Sequence, residues 1–189
     1  MKRIILGGIL GGIAMFMWEG LAHEVLPLGE AGIGGMSNEP AVMASIKANV
    51  QQSGFYIFPW MDTTPGLNKD QRMQKTMEKA KIGPAGIMIV SPGGMEYNMG
   101  WLLGKQCAFD IVTMLLAAAL VSWTGVLKGF GGRLAFVTLL GLFPTLSVDL
   151  PFNNWYGFPN TFTAAQFVVH IVGYLVGGLV VAAIVKPGR

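Results

Sequence analysis

Four stretches of this chain, residues 4–26, 107–127, 134–150 and 164–185, are apolar and long enough to cross a bilayer as helices. About 30 Å of hydrocarbon takes roughly 20 helical residues. The 189 residues are 52% hydrophobic and only 12% charged, with a mean hydropathy of +0.53, which is high for a water-soluble domain of this length. The reading is an α-helical membrane protein with four transmembrane helices and a small α+β extracytoplasmic domain, residues 28–106, between the first two. The third span is the shortest and carries Pro144, so it is expected to tilt little and to kink there.

Orientation follows from the basic residues. Lys2 and Arg3 precede the first span, Lys128 and Arg133 bracket the link between the second and third, and Lys186 and Arg189 follow the fourth. With four spans these clusters fall on one side, which places both termini in the cytoplasm of a bacterial cell and residues 28–106 and 151–163 outside. The formal charge of +3 arises mainly from such anchors and from a long loop, so no nucleic-acid partner is implied. Gly20-Leu21-Ala22 has the small-x-small form of a signal-cleavage site, but Trp18 and Glu19 just upstream suit a signal core poorly, and the segment reads as a retained helix.

In the long loop, Ser37 or Asn38 can cap a helix with Pro40 in its first turn and Gly54 at its end, and Asn68 can cap another over 69–81 that Gly83 and Pro84 stop. Residues 55–58 and 86–90 are β-prone, which suggests a strand, helix, strand unit. With fewer than about 80 residues it cannot bury a large core, so it is expected to rest on the helix ends or on another chain. Met36, Met43, Met61, Met73, Met77, Met88, Met95 and Met99 are scattered over the loop and its border. Thioether sulfur is a soft copper ligand, but without a repeated cluster or a nearby histidine adaptable packing is the better account.

Ionisable side chains within spans are costly and mark function or helix packing. Here they are Glu19, His23 and Glu24 in the first span, Asp110 in the second, Asp149 in the third and His170 in the fourth. Gly8, Gly12, Met15, Glu19 and His23 share one stripe of a helix turning about 100° per residue. Gln166, His170, Gly173 and Gly177 share another, and both stripes contain a Gly-x-x-x-Gly pair suited to close helix packing. Asp110 shares a face with Thr113 and Ala117, and Asp149 with Thr145 and Thr138. All these groups lie in the outer half of the bilayer, Glu19 and His170 roughly 9 to 10 Å deep, which argues against a proton path across the whole membrane within one chain.

The cluster Glu19, His23, Asp110, Asp149, Gln166 and His170 therefore reads first as buried hydrogen bonds that pin helix register, with Glu19 facing His170. No cofactor is required. Haem or a pigment on His23 or His170, a metal held by Glu19, His23 and His170, or a quinone-sized pocket remain open. The single cysteine, Cys107, allows no intrachain disulfide and no zinc cluster of Cys/His type. No nucleophile elbow, His-Glu-x-x-His or phosphate loop is present. In the second outer loop, Trp155, Tyr156 and Phe158 suit either an interfacial aromatic belt or a docking surface.

The segments LPLGEAGI after the first span, FYIFPWMD in the long loop and NNWYGFP before the last span resemble a small group of uncharacterised bacterial four-helix integral membrane proteins. That resemblance implies four helices and no particular activity. The functional expectation is a non-catalytic accessory or assembly subunit of a larger bacterial membrane complex, of electron transfer or light capture, with the lipid bilayer and other membrane subunits as partners. The alternative is a membrane protein that binds a ligand, metal, haem or pigment at the outer-leaflet Glu/His cluster.

Overall fold

The computed structural model of the chain describes residues 1–186. Arg189, expected to anchor the end of the fourth span beside Lys186, lies outside the described residues. The elements in order are α1 (Lys2–Glu24), α2 (Glu39–Asn49), β1 (Gly54–Phe58), α3 (Lys69–Ile82), β2 (Gly86–Val90), α4 (Met99–Trp123), α5 (Phe130–Tyr156) and α6 (Asn160–Ile184). They form two compact units, one of Met1–Gly34 with the chain from Tyr97 onward, the other Gly35–Glu96. Helices α1, α4, α5 and α6 are 23, 25, 27 and 25 residues long and apolar enough to cross a membrane.

In the helical unit α1 is central, packing on α4 along one side and on α6 along the other, while α5 lies mainly against α6. Adjacent glycines allow both approaches. A Cβ on Gly8 or Gly12 would meet the α4 backbone at Leu115 or Ile111, whereas one on Gly7 would meet Val185, just past α6, and Ile184 at its end, and one on Gly11 would meet Val181 of α6. The core comprises Met15, Met114, Ala117, Ala118, Val121, Val137, Val181 and Val185. Where the chain leaves α1, Gly32 takes a φ of +76° close to Thr161 and Phe162, a conformation and approach that a side chain would obstruct.

Three boundaries differ from the sequence reading. Helix α4 begins at Met99, not 107, because the Asn98 side chain caps it by accepting from the Trp101 amide. The third long helix is the longest, not the shortest, and most of the expected loop 151–163 is helical. Pro144 and Pro151 each lack an amide donor, and between them the chain widens into a π-helical turn, Thr145–Asp149, in which the Leu150 amide donates to the Thr145 carbonyl. The helix therefore runs through both prolines until Gly157, in the left-handed region at φ 71°, ends it. Only Gly157, Phe158 and Pro159 separate α5 from α6.

In the Gly35–Glu96 unit, Asn68 and Gln71 form a reciprocal capping box at the start of α3, and Gly83 ends that helix. Asn38 caps α2, which stops at Asn49; Gly54, expected to end it, is instead the first residue of β1. The strands pair antiparallel, with Phe55 opposite Ile89 and Ile57 opposite Ile87. Only Val50 and Asp62 are buried in this unit. Asp62 accepts from Lys79 Nζ at 2.7 Å and from the Thr64 amide at 2.8 Å, and these bonds, the lysine's first, hold its carboxyl below the usual range.

Candidate functional site

The polar groups of the long helices form two sets rather than one. On α1, Glu19 lies on the Gly8/Gly12 side and so meets α4. Gln106 Nε2 donates to Glu19 Oε2 at 2.8 Å and to Asp110 Oδ1 at 3.0 Å, using its two protons to bridge two carboxylates. Gln106 and Asp110 are one helical turn apart, so the same face of α4 presents both. Asp110 is 3% exposed, and its Oδ2 has no hydrogen-bond partner among the described residues. The Tyr174 phenol of α6 lies within electrostatic range of both carboxylates.

The second set joins α5 to α6. His170 Nδ1 lies 3.2 Å from Asp149 Oδ2 and 3.4 Å from Thr145 Oγ1. The carboxylate contact is close enough for an ion pair but lacks the direction of a hydrogen bond, which is why Asp149 Oδ2 also counts as unpartnered. Thr145 and Asp149 are the two ends of the π-helical turn, and that turn brings both to one imidazole. Because Nδ1 faces this pair, Nε2 is the ring nitrogen left for another partner.

The expected Glu19–His170 pair is not formed. Each group takes a different neighbour because Glu19 sits on the face of α1 turned toward α4, while α6 is met by Gly7, Gly11 and Trp18, whose indole donates to the Val169 carbonyl at 3.0 Å. His23 is exposed, with Nδ1 2.9 Å from the Glu19 carbonyl oxygen of its own helix, and Gln166 is half-buried. Among the described residues no three His, Cys, Asp or Glu side chains are placed to hold a metal, so Glu19, His23 and His170 do not assemble as a ligand set. A Cβ added at Gly173 would meet Trp18 and Met15, and one at Gly177 would meet Met114 and the Gly11 carbonyl.

Of the aromatic residues beyond α5, Trp155 is 78% exposed at the helix end. Phe158 instead stacks between Phe152 and Phe162, at 5.4 and 5.3 Å between ring centroids, and closes the turn. Sequence reasoning passed over Gln106, although its position one turn before Asp110 was a usable signal. Tyr174 and Trp18 carried none, because an aromatic on an apolar helix face reads as packing. Arg133 was read as a surface anchor, yet it is buried among backbone carbonyls.

Comparison with protein-family models, with curated proteins and with solved structures finds no match to this chain.

Proposed function

We propose that the chain is a multi-pass protein of the bacterial cytoplasmic membrane, with both termini in the cytoplasm and the Gly35–Glu96 unit outside, acting as a non-catalytic accessory or assembly subunit of a larger membrane complex. The observation that carries this is the apolar surface of that unit. Ile57 and Ile89 share one face of the sheet and are 40% and 79% exposed. Lipid accounts for exposed leucines on a membrane helix, but α3 is strongly polar, so its unit belongs in water, where such a patch marks an interaction site. The basic clusters flanking the long helices support the orientation. Mild extraction and native sizing test the reading: the chain should migrate in a larger assembly, and Ile57→Asp with Ile89→Asp should release it. Migration alone, with every respiratory and photosynthetic complex intact in a deletion strain, overturns it.

A second reading is favoured by the His170 geometry. An imidazole whose Nδ1 is hydrogen-bonded to a hydroxyl and lies beside a carboxylate keeps Nε2 for ligation, as supported histidines do at metal and haem sites. In this reading His170 rather than His23 holds the cofactor. An optical spectrum with elemental analysis decides: absorption lost in His170→Ala supports it, and a colourless, metal-free preparation from native membranes overturns it.

A further inference from the structure

We propose that the Glu19–Gln106–Asp110 site binds one monovalent cation, a proton or an alkali-metal ion, between its two carboxylates. The inference rests on the membrane placement proposed above, though not on any partner subunit. Two carboxylates from different helices share one amide, at 2.8 and 3.0 Å. Asp110 is 3% exposed, and its Oδ2, part of the same carboxylate, has no partner among the described residues. A buried oxygen left without a donor demands a proton, a cation or water.

The surrounding charges do not meet that demand. Lys105, next in the chain to Gln106, places its ammonium 5.6 Å from the centre of the Trp101 ring. His23 lies within electrostatic range of the Glu19 carboxylate but has its Nδ1 at the Glu19 backbone carbonyl and forms no ion pair with either carboxylate, and Arg133 donates to backbone carbonyls at the far end of the bundle. From α6 the titratable group in electrostatic range is Tyr174, a phenol that carries no positive charge in either form, and the titratable groups of the α5 interface, Asp149 and His170, face each other. Among the described residues no lysine or arginine forms an ion pair with Glu19 or Asp110. Two carboxylates bridged by a single neutral amide in a medium of low dielectric cannot both stay charged uncompensated, so one positive charge must accompany them. Gln106 is exposed on α4, so the bridged carboxylates lie at the edge of the helical core rather than sealed within it.

The test uses the purified full chain in nanodiscs. Radiolabelled sodium binding is measured against a choline control, and infrared difference spectra at neutral pH report a protonated carboxyl. Saturable binding of one sodium per chain identifies the alkali ion, and a protonated-carboxyl band without sodium binding identifies the proton. In either case Asp110→Asn should weaken the signal at least about tenfold, a shift of one logarithmic unit, and Asp149→Asn should leave it in place. Glu19→Gln provides the same readout should Asp110→Asn fail to fold. Neither signal in the wild-type chain, or a signal indifferent to both substitutions, overturns the proposal. Carbonate extraction of membranes tests the membrane placement separately.

Discussion

The buried guanidinium of Arg133 donates from Nε to the Ala182 carbonyl 3.0 Å away, and so ties the first turn of α5 to the last turn of α6. Its Nη1 donates to the Leu127 and Lys128 carbonyls at 3.3 and 2.6 Å. The three acceptors include carbonyls that a helix end and a tight link leave unpaired, and a planar fork suits them better than an ammonium.

Arg133→Leu should therefore destabilise the helical unit by about 3 kcal/mol, the scale of losing charge-assisted hydrogen bonds around a buried group. Arg133→Lys keeps the charge and should restore less than half. Reversible denaturation of the full chain in mixed micelles measures both, and a loss near zero for Arg133→Leu would show that the carbonyls are satisfied without it.

The glycines of α1 should respond unequally. A Cβ on Gly12 would collide with the Ile111 Cα, a backbone atom that cannot swing aside, whereas Gly20 has nothing within 4 Å. Gly12→Ala should cost about 2 kcal/mol through forced separation of α1 and α4, and Gly20→Ala should change stability by less than about 0.5 kcal/mol. Equal effects in the same denaturation assay would contradict the close α1–α4 packing.

A double-mutant cycle separates the two polar sets. Glu19→Ala and Gln106→Ala should couple by about 1 kcal/mol, while Glu19→Ala and His170→Ala should add to within about 0.5 kcal/mol. Coupling between Glu19 and His170 larger than that between Glu19 and Gln106 would reverse the assignment of partners.

The Asp62–Lys79 contact predicts acid sensitivity in the Gly35–Glu96 unit. Because the folded carboxyl titrates below its unfolded value of about 3.9, its contribution is complete above that value and is lost as pH falls through it toward the lower folded value. Hydrogen exchange of α3, corrected for its intrinsic pH dependence, should show protection falling over that acid window. Asp62→Asn should reduce protection already at neutral pH and flatten the dependence; an unchanged profile would rule the contact out as the cause.

Orientation has its own measurement. In a chain with Cys107 replaced by Ser, cysteines at Asn68 and Asn154 should react with an impermeant thiol reagent on intact cells, and one at Gly129 should not. Labelling at Gly129 would invert the proposed topology.

The four long helices, the capped α3 and the two strands were legible in the chain because their causes are local. Sustained apolar length, an Asn68 cap with Gln71 three residues on, and short aromatic or β-branched runs followed by proline act within a few residues. The course of α5 was not legible. A proline ordinarily stops a helix, and here a tightened turn at Gly141, whose amide donates to the Thr138 carbonyl, and the widened turn between Pro144 and Pro151 carry the backbone past both.

Periodicity also placed Glu19 on a glycine face of α1 and His170 on a glycine face of α6, but it could not say that those faces meet. Helix α1 carries two glycine pairs, Gly7 with Gly11 and Gly8 with Gly12, on neighbouring faces about 100° apart, so the chain by itself suits close packing on either side. The tertiary structure uses both at once, giving the first pair to α6 and the second to α4. Local sequence thus determined which side chains share a face. The rotation of each helix about its axis, set by backbones closing over glycines far apart in the chain, decided that Glu19 meets Gln106 and that His170 meets Asp149.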